Sequence, residues 1–379
     1  MTKTTQFVIV VIIIISAIIF LENNKTSYDQ TGVEVEEIAK SSYTETIKQM
    51  PNLTQAIEEM PTDNTERIQE KEKKFKKAVE LIDPDGYINV DNITLKELVG
   101  EKIILVDFWT YSCINCQRTF PYLTAWYEKY KDDGFVIVGV HTPEFEFEED
   151  YDNVKRATEK FNINYPVVQD NNYYTWRAYK NRYWPRKYLI DIDGFIVYDH
   201  IGEGDYTTTE NKIQDLLKER NEVLGIEQDF ETDISKPEAE SVNRQNVRTP
   251  ELYFGYKFSR DQLGNKEGWI NNEIVEYTPP DFKKPDFFYL EGSWLNNAGS
   301  MELQGPGKIY LEYKAKSVNL VAGSVEPVDI TITLDGKETE TISVKEFGLY
   351  RVVDEEEHGS HTLEIESNKG LMAYTFTFG

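Results

Sequence analysis

The stretch IILVDFWTYSCINCQRTFPYL, residues 103–123, decides the reading of this chain. Ile103–Trp109 is an apolar run of strand length interrupted by one acid, Asp107, and such short apolar runs suit buried strands. A helix is predicted from about Cys116 to Tyr130. Cys113 therefore stands at a helix N-terminus, where free backbone N–H groups and the positive end of the helix dipole favour a thiolate. Cys113 is the expected exposed nucleophile and Cys116 the buried resolving thiol, so that attack on a disulfide gives a mixed disulfide that Cys116 resolves. Asp107 lies within the apolar strand, so burial and a raised pKa are expected for it.

These are the only two cysteines in 379 residues. A disulfide-stapled secreted domain needs more, spread along the chain, so the pair reads as reactive. The alternatives are an inert structural pair or half a zinc site. Zinc takes about four ligands, and with four His in the chain His141 or His200 would have to converge on the pair. We expect no metal, and no cofactor beyond a Cys113–Cys116 disulfide. The formal net charge of −26 repels phosphate backbones and argues against a nucleic-acid partner.

Working outward, EKEKKFKKAVELI, residues 70–82, reads as an amphipathic helix, followed by a DPDG turn and a short strand at Tyr87–Val90. Phe135–His141 is a second buried strand, and a helix is expected near Asp152–Phe161. WPRKYLIDIDGFIVYDHIGEG reads as a hairpin turned at Asp193–Gly194, with a last helix at about Thr208–Leu217. Strands alternating with helices over 76–225 describe an α/β sheet protein. Residues 226–250 are acidic, hold Pro237 and Pro250 and one aromatic, and read as a linker crossed by few contacts. From 251 to 379 short alternating runs bounded by Gly and Asp-Gly predict an all-β sandwich, jelly-roll-like.

At the other end, Phe7–Leu21 is apolar apart from Ser16. It is short for a spanning helix, which takes about 20 residues, and no clear small-residue cleavage site follows it. Residues 1–21 are read as a membrane anchor or signal, the anchor favoured, with Lys3 placing the bulk of the chain outside. Residues 22–75 hold many acids and few large apolar groups and read as a stalk.

The residues around the pair resemble the thioredoxin superfamily. Asp107 stands six residues before Cys113, Pro121 five after Cys116, and Tyr183-Trp184-Pro185 matches the cis-proline loop. WTYSCINCQRTFPYL, VGVHTPEFEFE and YPVVQDNNYYTWRAYKNRYWPRKYLIDIDG are similar to the soluble part of the TlpA/DipZ-like family. That part joins a thioredoxin-like domain to a carbohydrate-binding-module-like β-sandwich. The resemblance implies Asp107 as proton relay to Cys116, Pro185 as the substrate loop and Glu144 as an acid near the disulfide. Trp109, Ile114, Asn115 and Trp184 are the candidate substrate-binding residues, although Trp109 equally suits the core. DipZ proteins carry a membrane domain that delivers electrons; its replacement here by one apolar run implies a separate CcdA-like donor.

The expected function is an extracytoplasmic, membrane-tethered thiol–disulfide oxidoreductase that reduces protein disulfides, with cytochrome c maturation as one setting. The alternatives are a disulfide-forming oxidase and a glycan- or partner-binding module using the thioredoxin fold as adaptor. CxxxC copper handling and peroxidase chemistry suit the motif less. His141 reads as a hydrogen-bonding loop residue more than a base. In the second domain Trp269, Trp294, Tyr289 and Phe288 suit either a sugar-binding face or the core, and His358–His361 reads as a loop.

Overall fold

Apolar runs of five to seven residues become the centre of a seven-stranded sheet in the computed structural model, which describes residues 63–240 and 247–379. The apolar run 7–21 and most of the acidic stretch 22–75 lie outside the described residues. Among the described residues no helix is long and apolar enough to cross a membrane. The strands are β1 (Lys76–Lys77), β2 (Gly86–Ile88), β3 (Ile103–Trp109), β4 (Phe135–His141), β5 (Val167–Gln169), β6 (Arg186–Ile190) and β7 (Phe195–Ile201). Their order is β1-β7-β6-β3-β4-β5-β2. β3, β4 and β5 run parallel, and β6 and β7 antiparallel to their neighbours.

The helices are α1 (Asp63–Lys74), α2 (Leu95–Leu98), α3 (Ile114–Tyr130), α4 (Tyr151–Lys160), α5 (Tyr174–Ala178) and α6 (Tyr206–Leu224). All seven residues of β3 and of β4 are buried, as expected of strands covered on both faces. Alternation sorts β3 between two cores. Ile103, Leu105 and Trp109 pack with Cys116, Phe120 and Trp126 of α3 and Ile213 and Leu217 of α6. Ile104, Val106 and Phe108 pack with Leu95 and Trp176 on the other side. Asp107 shares the face of Leu105 and Trp109 and so lies under α3.

The helix expected at 70–82 is corrected by the structure. α1 ends at Lys74, and Lys76 and Lys77 pair instead with Ile196 and Phe195 of β7. Glu80 then turns its carboxylate onto the backbone N–H groups of Leu95 (2.7 Å) and Lys96 (3.0 Å), which start α2. The helical spacing of Phe75, Val79 and Ile82 suggested a buried face, yet all three are exposed. Edge pairing and capping of α2 outweigh a helix with nothing to cover. Lys71 sends its ammonium among Asp191 (2.7 Å), Asp193 (2.8 Å) and Glu219, which fastens α1 to the β6–β7 hairpin. Among the described residues these carboxylates form one cluster able to hold a cation, and Lys71 supplies the positive charge.

The second domain is all-β. Its strands are β8 (Leu252–Tyr253), β9 (Ile274–Tyr277), β10 (Phe288–Asn296), β11 (Met301–Leu303), β12 (Gly307–Gly323), β13 (Val328–Leu334), β14 (Lys337–Val344), β15 (Gly348–Ser367) and β16 (Met372–Phe378). The long β12 changes partner along its length. Phe288–Glu291 of β10 pair with its first part, and Val318–Gly323 pair with β16. The two layers are thus one hydrogen-bonded sheet folded over a shared core. Trp294 and Phe288 are wholly buried in that core and Tyr289 is buried beside it. Trp269 packs on it and donates its indole N–H to Phe254 O (2.7 Å). The aromatic residues weighed as a sugar-binding face are therefore core. His358 and His361 lie within β15 rather than in a loop, where His361 pairs across the sheet with Tyr313.

Residues 226–240 are not the sparsely contacting linker that their composition suggested. Phe230 packs on Tyr130 at 6.2 Å, Ser235 bonds Glu210 and Gln228 bonds Asp133. Glu240 bridges Arg118 of α3 (3.1 Å) and Arg351 of β15 (2.6 Å). Beyond it, Phe145 from the loop after β4 enters a buried cluster with Tyr253, Val321 and Tyr374 of the second domain.

Candidate active site

Strand β3 ends at Trp109, four residues turn, and α3 begins. Cys113 is the N-cap of α3. Its Sγ accepts from the Cys116 backbone N–H at 3.4 Å, and its carbonyl accepts from Cys116 N–H (3.1 Å) and Gln117 N–H (3.0 Å). An N-cap side chain satisfies a helix donor that has no intrahelical partner, and here that side chain is a sulfur. Cys113 is half-buried and Cys116 is buried; both are free thiols. Burial pushes the Cys116 thiol well up, and the neighbouring Cys113 and Asp107 push it further.

Asp107 is wholly buried and neither of its carboxylate oxygens has a hydrogen-bond partner. Burial raises its pKa to about 7, against the charge of Lys187, which lowers it. Lys187 is directly opposite Asp107 in the β3–β6 register, is wholly buried, and donates to Gly202 O at 3.1 Å. Burial holds the Lys187 ammonium below its usual range while Asp107 and Cys116 pull it back. Tyr165 is also wholly buried with its hydroxyl unpartnered, and burial, then the charges of Asp107 and Cys116, push its pKa up. Gly139 faces Asp107 from β4, and a Cβ there would lie 2.8 Å from the Trp109 indole nitrogen, so the backbone must stay bare for the site to close.

Three loops surround the pair. The Trp184–Pro185 bond is cis. Trp184 is half-buried, lies 4.2 Å from the Trp176 ring and donates to Thr142 O at 3.0 Å. Trp109 is wholly buried, with edge contacts to Phe120 and His141, which puts it in the core rather than at the surface. His141 is buried with its pKa depressed to about 3 by desolvation, so it stays neutral and does not serve as a base at ordinary pH. The turn before Cys113 is held by Glu148. Its carboxylate accepts from Ser112 N–H (3.2 Å), Ser112 Oγ–H (2.6 Å), Glu144 N–H (2.7 Å) and Phe145 N–H (3.0 Å).

Glu144 sits where the two domains meet. It accepts from the Tyr253 hydroxyl at 2.9 Å. Burial raises its pKa to about 8, with help from the charges of Glu148 and Glu251 and against the Tyr253 bond. Ile114 is buried and Asn115 half-buried; both line a cleft whose other wall is the second domain. Sequence reasoning missed Lys187, Tyr165, Glu148, Arg118 and Tyr253. Lys187 had a weak signal: it directly precedes the apolar run Tyr188–Ile190 of β6. Tyr253 had none, because it reaches Glu144 across 109 residues.

A strand, a Cys-X-X-Cys turn and a helix at the centre of this mixed sheet define a thioredoxin-like protein. Comparison with known proteins agrees. Residues 100–196 match the family described as thioredoxin-like, and residues 249–379 match one described as a thioredoxin-like C-terminal domain. Protein DipZ of Mycobacterium bovis is 37% identical over 298 residues, 78% of this chain and 41% of that protein, as is Protein DipZ of Mycobacterium tuberculosis. Thiol-disulfide oxidoreductase ResA of Halalkalibacterium halodurans is 30% identical, over 34% of this chain and 67% of its own length. Thiol-disulfide oxidoreductase YkuV of Bacillus subtilis is 28% identical, over 37% of this chain and 93% of its own. The chain belongs to the DipZ/TlpA-like thioredoxin family, a family of thiol–disulfide oxidoreductases. It spans less than half the length of the DipZ proteins it matches.

Proposed function

We propose that this chain reduces disulfides in protein substrates by dithiol exchange. The Cys113 thiolate attacks one sulfur of the substrate disulfide, forming a mixed disulfide and expelling the first substrate thiolate. Cys116 passes its proton to Asp107 and attacks Cys113 Sγ. The second substrate thiolate leaves, and two electrons have moved from the pair to the substrate. The observation that carries this reading is the Cys113 sulfur capping α3, where it takes a backbone N–H, with the partnerless Asp107 carboxyl buried beneath the same helix. Free backbone N–H groups at a helix start stabilise negative charge placed there. Asp107, with its pKa near neutral, can take up and return a proton where the reaction needs it. Pro185 forms the loop that pairs with an extended substrate, with Trp184, Ile114 and Asn115 beside it, and Glu144 is a second acid near the pair.

Residues 7–21 would tether the chain and place the thiols outside the membrane. A CcdA-like membrane protein would return electrons to the oxidised pair, and apocytochrome c is one substrate that setting offers. The cap supports either direction of electron flow, and the reduction potential of the Cys113–Cys116 pair decides between them. A value near about −270 mV, the thioredoxin end of the known range, supports a reductase, and one near about −120 mV makes it an oxidase.

A further inference from the structure

Beside Cys113 the first turn of α3 does not face open solvent. A cleft of ≈ 240 Å³ separates Ile114, Asn115 and Arg118 from the second domain. That is below the roughly 300–1,000 Å³ of small-molecule sites and is sized for one long side chain. Ile114, Val247 and Phe378 give it an apolar lining, and Glu203 and Glu251 give it carboxylates. The guanidinium of Arg118, buried at its floor, is already balanced by Glu203 at 3.6 Å and Glu240 at 3.1 Å. Glu240 is shared with Arg351 at 2.6 Å, and of the acids that line the cleft itself Glu251 is the one contributed by the second domain.

A second observation points to a ligand. Thr377 lines the cleft from β16, is 6% exposed, and its Oγ1 has no hydrogen-bond partner. Arg118 Nε, equally buried, has none either. Buried polar atoms without partners are uncommon in folded proteins, and both of these belong to residues that line the cleft beside Cys113. An apolar lining with acids suits a Lys or Arg side chain, whose methylene stem packs while its charged head finds a carboxylate.

We propose that this cleft is the docking subsite for a lysine or arginine side chain flanking the disulfide of a protein substrate, with Glu251 of the second domain as the residue that selects it. The proposal rests on Cys113 as nucleophile and deepens it: the second domain would supply specificity to the thiols rather than act as a separate binding module.

The test uses the full reduced chain and two peptides. Each carries one Cys as its disulfide with a small thiol, flanked by Lys in one and by Glu in the other. The second-order rate constant of reduction is read for both. We expect the Lys peptide to react about tenfold faster, and Glu251→Gln to cut that ratio to about threefold, the scale of a partly exposed charge pair. Glu340→Gln, an exposed acid on β14, removes the same formal charge elsewhere and should leave the ratio unchanged. Taking a ratio cancels any change in intrinsic thiol reactivity. Equal rates for the two peptides, a faster Glu peptide, or a ratio shifted alike by both substitutions would overturn the subsite. If neither peptide is reduced, the oxidoreductase reading itself fails.

Discussion

Replacing Asp107 by Asn should stabilise the folded protein, and by an amount set by pH. The Asp107 carboxyl has its pKa raised from 3.8 to about 7 by burial. A raised carboxyl pKa works against folding: below about pH 4 both states hold the proton and nothing is lost. Between about pH 4 and 7 the unfolded chain ionises while the folded one stays protonated, and stability drains away. Above about pH 7 both are ionised and the loss is complete. The shift of about three units, at 1.36 kcal/mol each, amounts to about 4 kcal/mol. Asn carries no charge at any pH, so Asp107→Asn should match the wild type at pH 4 and exceed it by up to about 4 kcal/mol at pH 8. The attraction of Lys187 is already contained in that shift, because its charge lowers the Asp107 pKa against the effect of burial. Urea unfolding of the reduced wild type and variant, at half-unit steps from pH 4 to 8, reads the difference directly. A stability difference that does not change with pH would mean that Asp107 is not a strained buried acid, and its assignment as a proton relay would lose its basis. In the same variant, resolution of the mixed disulfide by Cys116 should slow at neutral pH.

In the reduced protein, alkylation should strike Cys113 much faster than Cys116, and Cys116→Ala should trap mixed disulfides that Cys113→Ala does not; comparable rates at the two thiols would reverse the roles. Lys71→Met leaves Asp191, Asp193 and Glu219 without their shared cation and should cost about 3 kcal/mol, read by denaturant unfolding; a cost below about 1 kcal/mol would reduce the cluster to surface pairing. An isolated 76–225 fragment lacks Lys71 and the packed Phe230, and it uncovers Phe145. It should melt well below the whole chain and bind more apolar dye; an unchanged melting temperature would restore a modular layout.

What could be read in advance follows from distance along the chain. Cys113, Cys116 and Asp107 lie within ten residues, and strand, turn and helix are written by local apolar pattern, so their arrangement was legible. Pro185 was legible by resemblance. Residues 70–82 misled because a helical period is also produced by three exposed apolar groups on an extended edge. The acidic composition of 226–240 suggested solvent, but a single Phe230 and carboxylates with fixed cationic partners suffice to lay that segment on the domain. Trp269, Trp294 and Tyr289 could not be sorted between a sugar-binding face and a core until the folding of β12 across two partners placed them. Glu251 and Tyr253 gain their meaning only from tertiary contact, and no local pattern carries that.

The four hydrogen bonds accepted by Glu148 have a mechanical meaning. One carboxylate ties the turn that carries Cys113 to the loop that carries Glu144 and Phe145, and Phe145 is rooted in the second domain. The reactive turn and the domain junction therefore share a rivet. Loosening of one should be felt at the other: amide exchange at Ser112 and at Glu144–Phe145 should rise and fall together between the oxidised and reduced forms, and Glu148→Gln should speed both by similar factors. Exchange that quickens at Ser112 alone would show the two sides to move independently.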